Sequence, residues 1–187
     1  MITTERLIIR EFTVQDTDAL FLILSDREVN TFLPWFPLKT REEAAEYLAE
    51  AHQKQAHSQD QFLAVCLRTD NIPIGYLHLS GGGHDFGYSL RKEFWHQGII
   101  TEAGRALIED IRRRGIPFIT ATHDANNPKS GQVMKRLGMV YQYSYEELWQ
   151  PKNILVTFRM YQLNFDKNAP VYRKYLEIHK EVRDEDA

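Results

Sequence analysis

The residues best placed to do chemistry lie in the stretch Phe94-Trp95-His96-Gln97-Gly98-Ile99-Ile100-Thr101-Glu102-Ala103. Its pattern leaves a strand, turns at a single glycine and opens a helix. The first turn of a helix carries backbone N–H groups with no acceptor inside the helix, and the macrodipole adds roughly half a positive charge there. Such a turn can hold a phosphate or pyrophosphate on main-chain donors alone, and Gly98 would let the backbone come close to it. Taken by itself, one glycine before a helix is more often only a turn. Asn127-Pro128-Lys129-Ser130 opens a second helix. Two pairs of titratable side chains stand at strand ends: His84 with Asp85, and Glu146 with Glu147. His84 has the intrinsic pKa of a base that works near neutrality. A His or Asp after a glycine turn is ordinarily surface, and the glutamates equally suit a solvated strand edge. Cys66, inside Leu63-Ala64-Val65-Cys66-Leu67, sits where a thiol stays neutral and inert. The seven histidines show no metal-ligand spacing, so no metal is expected.

These residues must be positioned by the elements around them. Leu7 to Phe12 reads as a first strand. Thr13 offers an N-cap with Asp16 in the capping-box position, followed by a helical stripe of Val14, Leu20, Phe21 and Leu24. Phe32-Leu33-Pro34-Trp35-Phe36-Pro37 is broken by its prolines and forms an apolar loop. Thr40 and Glu43 start a second helix through Tyr47, Leu48 and Ala51, whose polar continuation from His52 to Asp60 frays. Phe62 to Arg68 and Ile72 to Ser80 form a hairpin. After a turn at Gly81 to Gly83, Asp85 to Leu90 is a third strand of that region, with Gly87 a bulge or a close-approach position. Thr101 to Arg114 is a helix stopped by Gly115, Phe118 to Thr122 a strand, and Pro128 to Leu137 a helix ended by Gly138. Val140 to Glu146 and Ile154 to Leu163 are the closing strands. The pattern predicts an α+β fold, a mixed sheet with helices on its faces. From Asp166 the character changes. Pro170 suits a first helical position, and Val171, Tyr172, Tyr175, His179 and Val182 could share a stripe, so residues 166–187 read as a helical tail to a domain of residues 1–165.

Composition narrows the function classes. The chain has 187 residues, with 23 Lys plus Arg against 26 Asp plus Glu, a net charge of −3. A dedicated nucleic-acid binder would need a strong basic excess, and Arg112-Arg113-Arg114 reads as a solvated helix end suited to the dipole. No apolar run is long enough to cross a bilayer. One cysteine forbids an internal disulfide and fits a reducing compartment, so a cytoplasmic protein is expected, with a homodimer as one possible assembly.

Thr4-Glu5-Arg6-Leu7-Ile8-Ile9-Arg10, Gly87-Tyr88, the glycine loop, Asn127-Pro128-Lys129-Ser130 and Lys135-Arg136-Leu137-Gly138-Met139 occur in one consistent order. Together they resemble the GNAT acetyltransferase superfamily, and more closely its RimJ/RimL-like branch of ribosomal-protein N-acetyltransferases, over residues 1–165. The resemblance implies a central, mostly antiparallel seven-stranded sheet, about four flanking helices, and two middle strands that splay to admit acetyl-coenzyme A. It implies a pyrophosphate loop at Gln97, Gly98, Ile99, Ile100 and Thr101, a pantetheine-pairing strand end at Tyr88, Ser89 and Leu90, and helix-opening Asn127 and Ser130. The apolar loop of Phe32, Trp35 and Phe36 reads first as a lid over the core, while the resemblance also allows it as one wall of the acceptor pocket, with Asp85 facing the acceptor. The resemblance implies transfer of acetyl to a primary amine, of a protein N-terminus or a small molecule, in a ternary complex. Glu147, Glu146, His84 and Asp85 are, in that order, the candidate bases, and Ser130 the proton donor to sulfur. The chain departs from the family pattern at Trp95, at Ile100, and at Met134, where many members carry an acid tyrosine. The last two departures also fit a coenzyme A-binding protein without catalysis. A third reading is an α/β protein for some other phosphate ligand.

Overall fold

The computed structural model describes residues 1–80 and 84–183; the turn expected at Gly81 to Gly83 lies outside the described residues. Short branched runs pair with their sequence neighbours. β2 (Leu7–Glu11), β3 (Gln61–Leu67), β4 (Pro73–Ser80) and β5 (Asp85–Leu90) form an antiparallel meander. β6 (Phe118–Asp124), β7 (Val140–Trp149) and β8 (Ile154–Asn164) form a second antiparallel group with β8 in its middle. Two short strands extend the edges, β1 (Ile2–Thr3) beside β2 and β9 (Lys180–Val182) beside β7. The order across the sheet is β1-β2-β3-β4-β5-β6-β8-β7-β9. The two groups meet at β5 and β6, which are parallel and share one register pair, Asp85 with Thr120.

The helices cover both faces. α3 (Ile99–Arg113) and α4 (Pro128–Arg136) lie on one face, where Ile99, Ile100, Ala103, Leu107, Ile111 and Met134 pack on Leu7, Leu77, Phe86, Ile119 and Tyr161. That burial follows from the strong one-sided apolar stripe of α3. α1 (Thr17–Ser25) and α2 (Arg41–His57) cover the other face of β3 and β4 through Leu20, Ile23, Leu24, Leu48, Phe62 and Tyr76. On that same face Tyr143, Tyr145, Val156, Phe158 and Met160 are covered by Tyr172, Tyr175 and Leu176 from the end of the chain. No helix among the described residues is long and apolar enough to cross a membrane.

Four expectations need correction. The sheet has nine strands rather than seven, because the extreme ends of the described chain each add a short edge strand. The second helix does not fray at His52 but runs to His57, held by the His52 ring against the Phe12 carbonyl at 3.0 Å. The third helix starts at Ile99, two residues earlier than its stripe suggests, directly after Gly98. Residues 166–183 form one helical turn, α5 (Tyr175–Ile178), and then β9, not a continuous helix. Their aromatic rings are drawn onto β7, whose open edge then takes Lys180 to Val182 as a partner.

Candidate active site

Gly98 is the N-cap of α3 with φ 73° and ψ 9°, a left-handed conformation that glycine adopts without penalty. It turns the chain so that the first-turn N–H groups of Ile99, Ile100 and Thr101 point out of the helix end. The side chains of Ile99 and Ile100 go into the core, 3% and 7% exposed, so the branched group at 100 does not obstruct a ligand at the backbone. Around the turn, the Arg6 guanidinium donates to the Gln97 carbonyl at 3.0 Å and pairs with Glu102 at 2.6 Å. A cavity of about 630 Å3 adjoins the turn; beside Gly98 and Thr101 its lining carries the cations Arg6, Arg105 and Arg136 and the carboxylates Glu5, Glu102 and Glu109. Main-chain donors and a helix dipole fit a diphosphate, with Arg105 and Arg136 as cations beside them.

The next part of the site is the seam between β5 and β6. The Thr120 N–H donates to the His84 carbonyl at 2.7 Å, and Asp85 pairs with Thr120. Beyond that point the strands diverge, and the β5 edge at Tyr88 and Ser89 faces the gap. Leu90 was expected to extend this edge, but its carbonyl already accepts from the Trp95 indole N–H at 2.7 Å. The aromatic residue at 95 thus ties the loop to the strand end. α4 borders the gap on the other side. Asn127 is its N-cap, ahead of Pro128 in the first turn. The Tyr88 hydroxyl lies 2.8 Å from both the Ser130 carbonyl and Ser130 Oγ. Burial raises the Tyr88 hydroxyl well above its ordinary pKa, with the Ser130 hydrogen bond pulling the other way, so the pair stays protonated at neutral pH. Met134 is in the core.

Alternation along the strands places Asp85, Gly87 and Ser89 on the face opposite α3 and α4, together with Tyr76 and His78 of β4. Tyr145 and Glu147 share that face. The Tyr175 ring stacks on Tyr145 at 5.1 Å, and His179 approaches Glu147 at 3.5 Å. Glu146, one residue away, projects from the other side of β7 and is not brought to this face. The loop before α2 overhangs here. Trp35 packs against Tyr47 with ring centroids 6.2 Å apart, Phe32 is half-buried, and Phe36 is 58% exposed. The Lys152 ammonium, in the β7–β8 turn, donates to the carbonyls of Asn30 and Thr31 at 3.1 and 3.2 Å and bridges the two loops.

A family model for the acetyltransferase (GNAT) domain matches residues 6–140. The chain belongs to the GNAT acetyltransferase family. A curated relative, an uncharacterized N-acetyltransferase (YnaD) of Bacillus subtilis, is 29% identical over 143 residues, 74% of this chain and 81% of the relative. Among solved structures, the microcin C7 self-immunity acetyltransferase MccE, in complex with acetyl-CoA and AMP, superposes with a TM-score of 0.77 at 16% identity, covering 86% of this chain and 93% of that one. RimL, a ribosomal-protein alpha-N-acetyltransferase in complex with coenzyme A, superposes with a TM-score of 0.76 at 20% identity, covering 87% and 96%. The mixed fold with a largely antiparallel sheet is therefore the GNAT fold, and the protein is an acetyl-CoA-dependent acetyltransferase with an amine acceptor. Acetyl-CoA, when bound, supplies the activated acetyl group as a thioester.

In this GNAT enzyme the glycine turn, the β5 edge, Asn127 and Ser130 converge around one seam. His84 does not join them: its ring stacks on Phe118 at 4.6 Å and its Nδ1 lies 3.0 Å from the Phe118 carbonyl, at the closed end of the seam. Asp85 is not surface. Burial raises its carboxyl, with the His78 ring and a hydrogen bond from Tyr175 opposing that rise. Cys66 is fully buried, and burial pushes its thiol up to about 11, which keeps it protonated. Among the described residues no group of three or more His, Cys, Asp and Glu side chains could hold a metal ion. Three residues brought to or beside the face opposite α3 and α4 escaped the sequence: His78, Tyr145 and Lys152. For His78 a signal existed, since a hairpin in this register sets its ring opposite Gly87.

Proposed function

We propose that the protein is a RimJ/RimL-like N-acetyltransferase that moves acetyl directly from acetyl-coenzyme A to a primary amine while both are bound. The observation that carries this reading is the seam itself. One side of it opens on the helix-end diphosphate turn, and the other opens on a face lined by Asp85, Tyr145, Trp149 and Glu147. Gln97 to Thr101 hold the diphosphate, and the free edge of β5 at Tyr88 and Ser89 pairs with the extended arm of the cofactor as an added strand would. A main-chain N–H of that edge stabilises the oxyanion that develops at the acetyl carbon. The Ser130 hydroxyl, held by Tyr88, donates to the departing sulfur. The Glu147 carboxylate receives the acceptor in its ammonium form beside the aromatic wall, and Phe32, Trp35 and Phe36 close over it. Holding both substrates in one cleft supplies much of the rate.

The Lys152 bridge to the loop before α2 favours an acceptor that enters end-on, an amine at the tip of a slim chain. A free peptide N-terminus and an alkyl amine both satisfy that shape. The decisive measurement is thiol release from acetyl-coenzyme A against a panel of peptides with free N-termini and small amines. We expect release with at least one of them. Ser130→Ala should lower kcat by about a hundredfold with the cofactor Kd kept within a few fold. Glu147→Gln should act mainly on the acceptor KM. Release with no amine, together with tight coenzyme A binding, would overturn the reading in favour of a non-catalytic binder.

A further inference from the structure

Gly87 has no positive φ, so its backbone conformation does not demand a glycine. Its neighbour does. A Cβ at position 87 would collide with Cε1, Nε2 and Nδ1 of His78, which stands directly opposite on β4. The imidazole thus occupies the space that a side chain on β5 would fill. It lies on the acceptor face, one residue from Tyr88, where the strand edge meets the seam. The Asp85 carboxylate, on the same face of β5, interacts with the ring and accepts a hydrogen bond from the Tyr175 hydroxyl. Asp60 is the other acidic group that acts on His78, and the Tyr76 ring lies 6.2 Å away. Two other histidines near the seam each set a ring nitrogen against a backbone carbonyl, His84 against Phe118 at 3.0 Å and His123 against Asp124 at 2.8 Å.

We propose that His78 takes the proton from the acceptor amine, and that Asp85, itself held by Tyr175, is the positioning residue that keeps the ring over Gly87. The inference rests on the amine-transfer reading above and assigns its base. The ammonium first gives one proton to solvent, and as the neutral amine nitrogen so formed bonds to the acetyl carbon, its second N–H proton passes to the imidazole. The carbon–sulfur bond then breaks, the sulfur leaves with the Ser130 proton, which water replaces, or with one from water directly, and the imidazolium returns its proton to solvent. Glu147, farther along β7, meets the incoming cation rather than taking the final proton. Burial holds His78 below the ordinary imidazole range against the opposing pull of Asp85 and Asp60, so the ring is neutral and able to accept at pH 7.

The test uses the full chain. Wild-type kcat/KM against pH should show an acidic limb with its inflection below about 6.5. His78→Gln should lose about a hundredfold or more in kcat/KM and lose that limb, and added imidazole should restore activity to His78→Ala. Asp85→Asn should keep the limb but move it to lower pH, because a charge that favours the imidazolium has gone. A second readout needs no turnover: the His78 Cε1–H resonance of the free protein should titrate below about 6.5 and shift further down in Asp85→Asn. An unchanged kcat/KM and pH profile in His78→Gln, with wild-type enzyme active, would overturn the assignment alone, as would a ring that titrates above pH 7. Wild-type enzyme that transfers to no amine overturns the amine reading and this assignment with it.

Discussion

At Asp16 two local demands meet in one carboxylate. Its Oδ2 accepts from the Thr13 N–H at 2.8 Å and from the Thr13 hydroxyl at 2.9 Å, which closes the turn before α1. Arg10 then clamps both oxygens, at 2.7 and 2.9 Å. Burial raises this carboxyl, but Arg10 and Thr13 outweigh it and hold the group below its ordinary value. A carboxylate lowered on folding stabilises the protein fully above its unfolded pKa, near 3.9, and that stability is lost as pH falls through the folded value. Asp16→Asn should therefore cost about 3 kcal/mol at pH 7 in urea unfolding, with the gap to wild type closing below about pH 4. The Thr13–Asp16 spacing was legible in the sequence. The Arg10 clamp was not, because it depends on where β2 ends. Gly98 is the other residue whose identity is fixed locally. Alanine at φ 73° costs about 1–2 kcal/mol, while only the Arg6 guanidinium, at 3.8 Å, stands near the added methyl. Gly98→Ala should weaken coenzyme A binding about tenfold by calorimetry, with the acceptor KM unchanged.

Among the elements, α3 is anchored by Glu102. That carboxylate accepts from the Thr4 hydroxyl at 2.5 Å, the Arg6 N–H at 3.1 Å and the Arg6 Nε at 2.6 Å, and so ties the first strands to the helix that carries the diphosphate turn. Glu102→Gln should cost about 1–3 kcal/mol and speed hydrogen exchange at Ile2 and Thr3 before it touches the rest of the sheet. Elements built from their own sequence were readable: the Thr40 cap of α2, the hairpin of β3 and β4, and the Pro128 opening of α4 all lie where composition puts them. Elements that end where another element stops them were not. The continuation of α2 past His52 depends on the Phe12 carbonyl, forty residues away. The apolar stripe of Tyr172, Tyr175 and His179 has helical spacing, yet the Tyr175 and His179 rings stack flat on Tyr145 while Tyr172 meets Tyr175 edge-on, which a single turn and an edge strand accommodate better.

For the whole molecule, the two halves of the site differed in how far the sequence disclosed them. The cofactor half consists of main-chain donors whose geometry follows from one glycine and one helix start. The acceptor half is assembled from β4, β5, β7, two loops and the end of the chain, and its central ring, His78, is legible only through register with Gly87. On the proposed reading, residues 170–183, whose Tyr172, Tyr175 and Leu176 pack on the β7–β8 face, form part of the acceptor wall. A chain ending at Ala169 should keep its coenzyme A Kd within about twofold while its acceptor KM rises about tenfold or more, a split of roughly 1.4 kcal/mol confined to one substrate. The single register pair of Asp85 with Thr120 has a consequence of its own. The two strand groups share one core under α3 and α4, but within the sheet they meet at a narrow hinge, and a guest lying between the strands there touches both. Occupancy should then stiffen the hinge: amides of residues 86–90 and 121–124 would exchange more slowly, and the melting point would climb with ligand concentration as mass action requires.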